Sequence, residues 1–337
     1  MLIKKKFIFI GLALLLIIGS FFYFRNEVYY ARGSYRSDVS FKINKGEGVV
    51  EITKRLKESD LISGNIYFYY YLKTHKLTNK IMSGTYLLSG KMTIPEIAYI
   101  LSNPSRSFVK ITFPEGFTAK LMADRLNAND LPGDNFLKII NNPGDFKKQY
   151  NYLSGDNIKT LEGYLFPDTY FFKKDAMAKG IVKKMLDVFS QKLSNQMIKD
   201  IASQNKSIAD EIIMASIVEK EVQTPEDMKV VAGIFWKRIK NNHKLQSDAT
   251  LSYVLDDNID QHSNADLSTN SPYNTYLYVG LPPSPISNPG LDALRAAIYP
   301  TPSDYNYFLT ATVNGAKKVI YSQTFQEHVA NKAKYGL

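Results

Sequence analysis

Glu219 closes a run of seven uncharged, mostly apolar residues, Ile212-Ile213-Met214-Ala215-Ser216-Ile217-Val218. Ser207 and Asp210 fit an S-x-x-D start signal, so the run reads as helix. Ile212, Ala215, Ser216 and Glu219 then fall at i, i+3, i+4 and i+7 and share one face. A carboxyl in that setting is short of water, and desolvation raises its pKa from a reference of about 4.3. A group titrating near neutral pH can both give a proton and take one back. The simpler alternative is a helix-end glutamate that is solvated or paired with Lys220. Glu221 points about 200° further around the helix and reads as structural or ion-paired.

Four polar clusters lie around this glutamate in the chain. They are Leu161–Tyr170 (LEGYLFPDTY), Gln246–Thr250 (QSDAT), Ser271–Tyr276 (SPYNTY) and Gly280–Gly290 (GLPPSPISNPG). Glycine and proline fix these backbones, while Tyr, Asn, Gln, Thr and Asp supply flat faces and hydrogen-bonding groups. Sugars need both, and a chain with 23 Tyr and one Trp suits a glycan cleft. Taken singly, each cluster reads more simply as a rigid connector. Other chemistries find little support. His75, His243, His262 and His328 show no H-x-x-x-H spacing, so no metal site and no cofactor is expected. There is no G-x-S-x-G elbow, no G-x-x-x-x-G-K-[ST] loop and no G-x-G-x-x-G after a strand.

The elements that must position these groups begin with a candidate anchor. Phe7–Phe24 is an uncharged stretch of 18 residues. As a helix it spans roughly 27 Å, close to a hydrocarbon core. Lys4, Lys5 and Lys6 precede it, which keeps the N-terminus inside and sends the remainder across the membrane. A cleaved signal peptide is the alternative, but Phe21-Phe22-Tyr23-Phe24 follows where a small-x-small site would be needed. The 337 residues imply about two domains. The absence of cysteine excludes disulfides and thiol nucleophiles. The net charge of +10 suits an anionic surface, but without a dense basic run or aromatic–basic interleaving it does not indicate nucleic acid.

Beyond a tether at residues 25–38, Val39–Ile43 alternates like a strand and Val49–Leu56 has helical spacing. Asn65–His75 is compatible with helix or strand, and Gly84–Leu88 is a strand, giving β-α-α-β. Thr93-Ile94-Pro95-Glu96 opens a further helix. Phe41, Ile43, Gly46, Ile52, Arg55, Leu56, Asp60 and Leu61 recur, by type or character, 70 positions later as Ile111, Phe113, Gly116, Met122, Arg125, Leu126, Asp130 and Leu131. This is either a repeated strand-turn-helix unit or a coincidence of amphipathic pattern. Pro132–Asp156 reads as loop with one short helix, and Gly180–Leu193 as amphipathic helix. Thr224-Pro225-Glu226-Asp227 starts a helix with Val230, Val231, Ile234, Phe235 and Ile239 as its buried stripe. Asn314-Gly315 marks a hairpin. The fold class is α+β with a helical catalytic half.

The string ASIVEKE at residues 215–221, with the four clusters in this order, resembles the YceG-like family of membrane-anchored endolytic murein transglycosylases. The likeness runs from the anchor to the C-terminus, and the strings are long and unusual. Family members often carry Pro where this chain has Ala249, a change expected to be tolerated. The resemblance implies a cytoplasmic tail at residues 1–6, a transmembrane helix at 7–24, a LysM-like module at 39–105 and a mixed α/β catalytic domain at 106–337. It implies that Glu219 is the acid/base of a lytic transglycosylase that cleaves MurNAc-β-1,4-GlcNAc bonds, leaves 1,6-anhydro-MurNAc ends and terminates nascent strands. Glu162, Tyr164, Asp168, Gln246, Asp248, Thr250, Tyr273, Asn274 and Thr275 are the expected substrate contacts. The expected setting is the bacterial cytoplasmic membrane, with the catalytic domain outside, peptidoglycan as substrate and a penicillin-binding synthase as partner. The other function classes are a two-carboxyl hydrolase and a non-catalytic glycan-binding scaffold.

Overall fold

The structure is a computed structural model that describes residues 2–33, 37–103, 106–144, 146–154, 158–257, 259, 262–313 and 315–337, with the backbone alone over 2–10. The chain divides into two units, Met1–Lys110 with Phe171–Asp175, and Ile111–Tyr170 with Ala176–Leu337.

The first unit opens with one long helix, α1 (Leu2–Tyr29). Within it Gly11–Tyr29 is a 19-residue stretch of mean hydropathy 1.3, long and apolar enough to cross a membrane. There follow β1 (Val39–Ile43), α2 (Val49–Glu58), α3 (Asn65–Thr74), β2 (Gly84–Leu88), α4 (Ile94–Leu101) and β3 (Phe108–Thr112). β1 and β2 are antiparallel, in register from Val39↔Leu88 to Ile43↔Gly84. With β3 and β4 (Thr169–Lys173) they form a sheet of order β1-β2-β3-β4. The segment that allowed helix or strand is helix α3, because Phe68 and Leu72 at i and i+4 enter the core with Phe41, Leu56, Tyr86 and Ile97. At α4, Thr93 and Glu96 make a reciprocal capping box.

The segment read as a tether from residue 25 differs in its first part. Residues 25–29 continue α1, Val28 lies in the core of the unit, and Ser63 donates a hydrogen bond to Glu27. An aromatic, weakly polar composition hid a helix end that packs rather than hangs. Ser34, Tyr35 and Arg36 lie outside the described residues.

The second unit is mostly helical. Its elements are α5 (Ala119–Asn127), α6 (Gly133–Ile140), α7 (Phe146–Gln149), α8 (Ala178–Lys192), α9 (Asn195–Ser203), α10 (Ile208–Glu221), α11 (Pro225–Lys240), α12 (Asp248–Leu255), α13 (Asn264–Leu267) and α14 (Leu291–Ile298). The hairpin β5 (Tyr307–Val313) and β6 (Ala316–Ser322) and then α15 (Phe325–Tyr335) complete it. Asn314, half of the hairpin signal, lies outside the described residues, while Gly315 takes a φ of +77°. The segment Pro132–Asp156, expected as loop with one short helix, holds a short helix, α6, and a second, α7, that was not expected. Phe136 and Ile140 bury one face of α6, and Phe146 and Leu153 are also buried. The density of Gly, Pro and Asn concealed the second helix. On α11 the buried stripe is Met228, Val231, Ala232, Ile234 and Phe235, whereas Val230 and Ile239 are only half-buried.

α10 is the central helix of this unit. Ser207 caps it by accepting from Asp210 N at 3.0 Å. Every residue from Glu211 to Val218 is buried, so the helix is covered on all sides, and α9, α11, α12 and α14 pack on it. Its C-terminal turn, with Glu219, is where cover thins.

The offset-70 pattern is a structural repeat. Gly46 and Gly116 both turn with positive φ, +82° and +73°. Arg55 donates to Lys42 O at 2.9 Å, and Arg125 to Thr112 O at 2.6 Å. Leu61 N reaches back to Leu56 O, and Leu131 N to Leu126 O, both at 3.0 Å, with Asp60 and Asp130 left-handed before them. These are Schellman-type helix ends, with Asp in the position glycine usually takes. Leu126 is fully buried. Leu126→Ala should therefore lower stability by about 2–5 kcal/mol, read as a reduced denaturant midpoint.

Candidate active site

The site is assembled where the end of α10 meets two loops of the second unit. Ser216, one turn before Glu219, fastens the first loop. Its Oγ donates to Ile213 O at 2.7 Å and accepts from Ile286 N at 3.0 Å, while its carbonyl accepts from Ser287 Oγ at 3.0 Å. The SPISNPG part of the Gly280–Gly290 string is thereby fixed along α10, and Gly290 N donates to Glu219 Oε2 at 2.8 Å. Glu219 Oε1 has no protein hydrogen-bond partner among the described residues.

The second loop, Pro114–Thr118, precedes α5 and belongs to the repeat. A Cβ on Gly116 would touch Glu219 Cγ and Lys220 Cδ at 3.4 Å, so the turn lies directly against the glutamate. The neighbouring Glu115 carboxyl covers Gly290 so closely that any side chain at position 290 would overlap it. Glu115 and Glu219 thus flank one glycine.

Burial pushes the half-buried Glu219 carboxyl up to about 7, and the negative charges of Glu115 and Asp292 add to the rise. The Gly290 N–H and the Lys220 charge oppose it and are outweighed. No Lys220–Glu219 ion pair forms among the described residues. Burial, with the charge of Asp292, also raises Glu115.

Asn288 ties the two loops to the Leu161–Tyr170 string. Its Oδ1 accepts from Gly163 N at 2.9 Å and Leu165 N at 3.0 Å. Its Nδ2 donates to Phe117 O at 3.0 Å and Glu162 Oε1 at 2.6 Å, and its backbone bridges Phe117. Glu162 accepts from Ala119 N, at the first turn of α5, with both oxygens at 2.9 Å. Gly163 has a φ of +89°, and a Cβ there would press to 2.5 Å from the Pro285 ring. Only glycine lets these strings approach so closely.

The structure sorts the expected substrate contacts into two sets. Glu162, Tyr164, Thr250, Asn274 and Thr275 are buried. Thr250 Oγ1 meets Thr275 Oγ1 at 2.9 Å, and Thr275 Oγ1 accepts from Ser247 N at 3.0 Å. Asn274 closes its own loop through Leu267 O and Thr269 O. Exposed or half-buried are Asp168, Gln246, Asp248 and Tyr273. Asp168 Oδ1 accepts from Thr169 N at 2.7 Å, Asp248 Oδ1 from Tyr276 OH at 2.9 Å, and Tyr273 OH lies 2.6 Å from Ser284 Oγ. Glu221 takes a hydrogen bond from Ser247, and burial raises it to about 7.

Sequence reading missed Glu115 and Asp292, and it did not see that Asn288 is the joint. One signal was present: within the repeat, Glu115 replaces Lys45, a reversal of charge beside a retained glycine. A depression of about 460 Å³ lined by Met197, Lys229, Arg295 and Tyr299 shares none of these groups.

The YceG-like family matches residues 41–334. The chain is 32% identical to an endolytic murein transglycosylase of Bacillus subtilis (strain 168), over 95% of this chain and 91% of that protein. It is 30% identical to an endolytic murein transglycosylase of Streptococcus pneumoniae (serotype 2, strain D39), over 88% of this chain and 58% of that longer protein. A crystal structure of a yceG-like protein from Listeria monocytogenes aligns with a TM-score of 0.62 at 32% identity, covering 87% of this chain and 98% of that one.

Glu162 supplies a test of the framework. Burial raises its carboxyl from 4.5 to about 7 in the fold. The folded state therefore keeps a proton that the unfolded chain releases, and the associated stability, on the order of 3 kcal/mol, is present below about pH 4.5 and lost as pH rises through about 7. Glu162→Gln, which cannot ionise, should flatten the decline of the unfolding midpoint between pH 5 and 8.

Proposed function

This chain belongs to the YceG-like family, and on that premise we propose that it is a membrane-anchored lytic transglycosylase that cuts murein glycan strands, with Glu219 as acid and then base. The observation that carries the reading is the state of Glu219: a carboxyl raised to about 7, with one oxygen held by a backbone N–H and the other without a protein partner.

Protonated Glu219 donates to the glycosidic oxygen, and the bond from that oxygen to the MurNAc C1 breaks. The substrate's own N-acetyl oxygen stabilises the positive C1. The C6 hydroxyl then attacks C1 and passes its proton to the Glu219 carboxylate. The product is a 1,6-anhydro-MurNAc end, no water is consumed, and Glu219 regains its proton. The nucleophile belongs to the same sugar, so proximity replaces a second carboxylate. Glu115 and Asp292 keep the proton on Glu219 until it is needed.

In this reading Gln246, Asp248, Tyr273 and Asp168 are the substrate contacts. The buried Glu162, Tyr164, Thr250, Asn274 and Thr275 position the cleft instead. The α1 span anchors the chain in the cytoplasmic membrane with its N-terminus inside. The catalytic domain from about residue 106 then acts outside, and a LysM-like module at residues 39–105 engages glycan. Cutting nascent strands beside a penicillin-binding synthase would end their elongation.

Glu219→Gln should retain the fold and release no anhydro-ended fragments, as read by mass spectrometry of digested sacculi. Normal anhydro products from this variant would remove Glu219 from the reaction. Glu115 also favours a second reading, a two-carboxyl hydrolase. Reaction in ¹⁸O-water separates the two, because a hydrolase labels its new reducing ends and a transglycosylase leaves them unlabelled. Glu115 further predicts a pH shift. Removing its charge in Glu115→Gln lowers the pKa of Glu219, so the alkaline limb of the rate profile should move to lower pH.

A further inference from the structure

We propose that the outer face of α3 is a membrane footing, with Ile66, Tyr69 and Tyr70 resting in the headgroup layer of the bilayer that α1 crosses. The inference rests on the anchor reading of α1 given above. α3 buries Phe68 and Leu72, yet its opposite side is not polar. Ile66, Tyr69, Tyr70 and Lys73 fall at i, i+3, i+4 and i+7 and so share a face. On it Ile66 is 65%, Tyr69 40% and Tyr70 53% exposed. A helix that is apolar all round is expected to be covered all round, and a contiguous exposed patch of this kind marks a contact surface.

What adjoins the patch identifies the occupant. The ring of Phe24, on α1, meets Tyr70 edge-on at 5.0 Å and Tyr67 at 5.3 Å. Immediately before it Phe21, Phe22 and Tyr23 stand exposed at the end of the uncharged Phe7–Phe24 stretch. The apolar surface of α3 is therefore continuous with the surface that lipid would cover. It is also held there, because Val28 is in the core of the unit, Ser63 donates to Glu27, and Arg32 Nε lies 3.7 Å from the same carboxyl. Tyrosine suits this depth, with its ring among acyl chains and its hydroxyl among headgroups. Lys73, exposed on the same face, can extend its amine to lipid phosphate. Neither a glycan strand nor a second copy accounts for this continuity with the span.

The absence of native cysteine allows single-site nitroxide labelling of the full chain. Ile66→Cys, Tyr69→Cys, Leu16→Cys within the span and Val50→Cys on the exposed side of α2 would be reconstituted in vesicles of equal phosphatidylethanolamine and phosphatidylglycerol. Relative accessibility to oxygen and to a water-soluble nickel chelate then reports depth. The expected order is Leu16 deep, Ile66 and Tyr69 interfacial, and Val50 aqueous. Aqueous values at Ile66 and Tyr69 with Leu16 deep would overturn the footing and leave the anchor intact. An aqueous Leu16 would overturn the anchor and the footing with it. Spin–spin broadening at Ile66 at high lipid dilution would assign the face to a second copy. Immobilisation at Ile66 only on adding soluble glycan strands would assign it to substrate. Either result would remove the footing.

Discussion

The side-chain amide of Asn288 is the joint on which the catalytic unit depends. Its oxygen takes two backbone N–H groups of the Leu161–Tyr170 string, and its nitrogen serves Phe117 O and Glu162. All of these groups but the half-buried Phe117 are buried, where an unpaired polar atom costs about 1–3 kcal/mol. The network is satisfied in one arrangement, so it specifies that arrangement. Segments separated by more than a hundred residues are thereby brought to the end of α10.

That arrangement sets the electrostatics of Glu219. The N–H of Gly290 favours the carboxylate, whereas burial and the charges of Glu115 and Asp292 favour the acid. The balance falls near 7, between the value of an exposed glutamate and that of one sealed in apolar surroundings. Movement of the Pro114–Thr118 turn or of the Ser284–Gly290 loop would change both sides of this balance at once. Ser216 matters for that reason, since it binds the Ser284–Gly290 loop to the same helix that carries the carboxyl.

The strand-turn-helix repeat shows how one backbone solution serves two settings. Both copies keep the left-handed glycine, the arginine that caps the strand carbonyl and the Schellman-type helix end. In the first copy the turn carries Lys45, which is exposed. In the second it carries Glu115, and the glycine beside it packs on Glu219. In the first unit the end of α1 is built into the core through Val28, while the apolar length before it stays exposed.

Much of this was legible in the chain. The bounds of β1 and β2, the caps of α4, α10 and α11 and the apolar approach to Glu219 follow from spacing and capping chemistry, which act within a few residues. Over Pro132–Asp156 one short helix was expected, and the second, α7, was hidden by the Gly, Pro and Asn around its few apolar residues. The tether failed at residues 25–29 because their burial depends on α3 and its neighbours, not on their own composition. The sequence by itself determined that a carboxyl ends an apolar helix, since periodicity is a local property. Only the tertiary structure decided that Gly290, Glu115 and Asp292 stand around it. Desolvation and charge act through space, and the distances they depend on exist only once Asn288 and Ser216 have drawn the loops together.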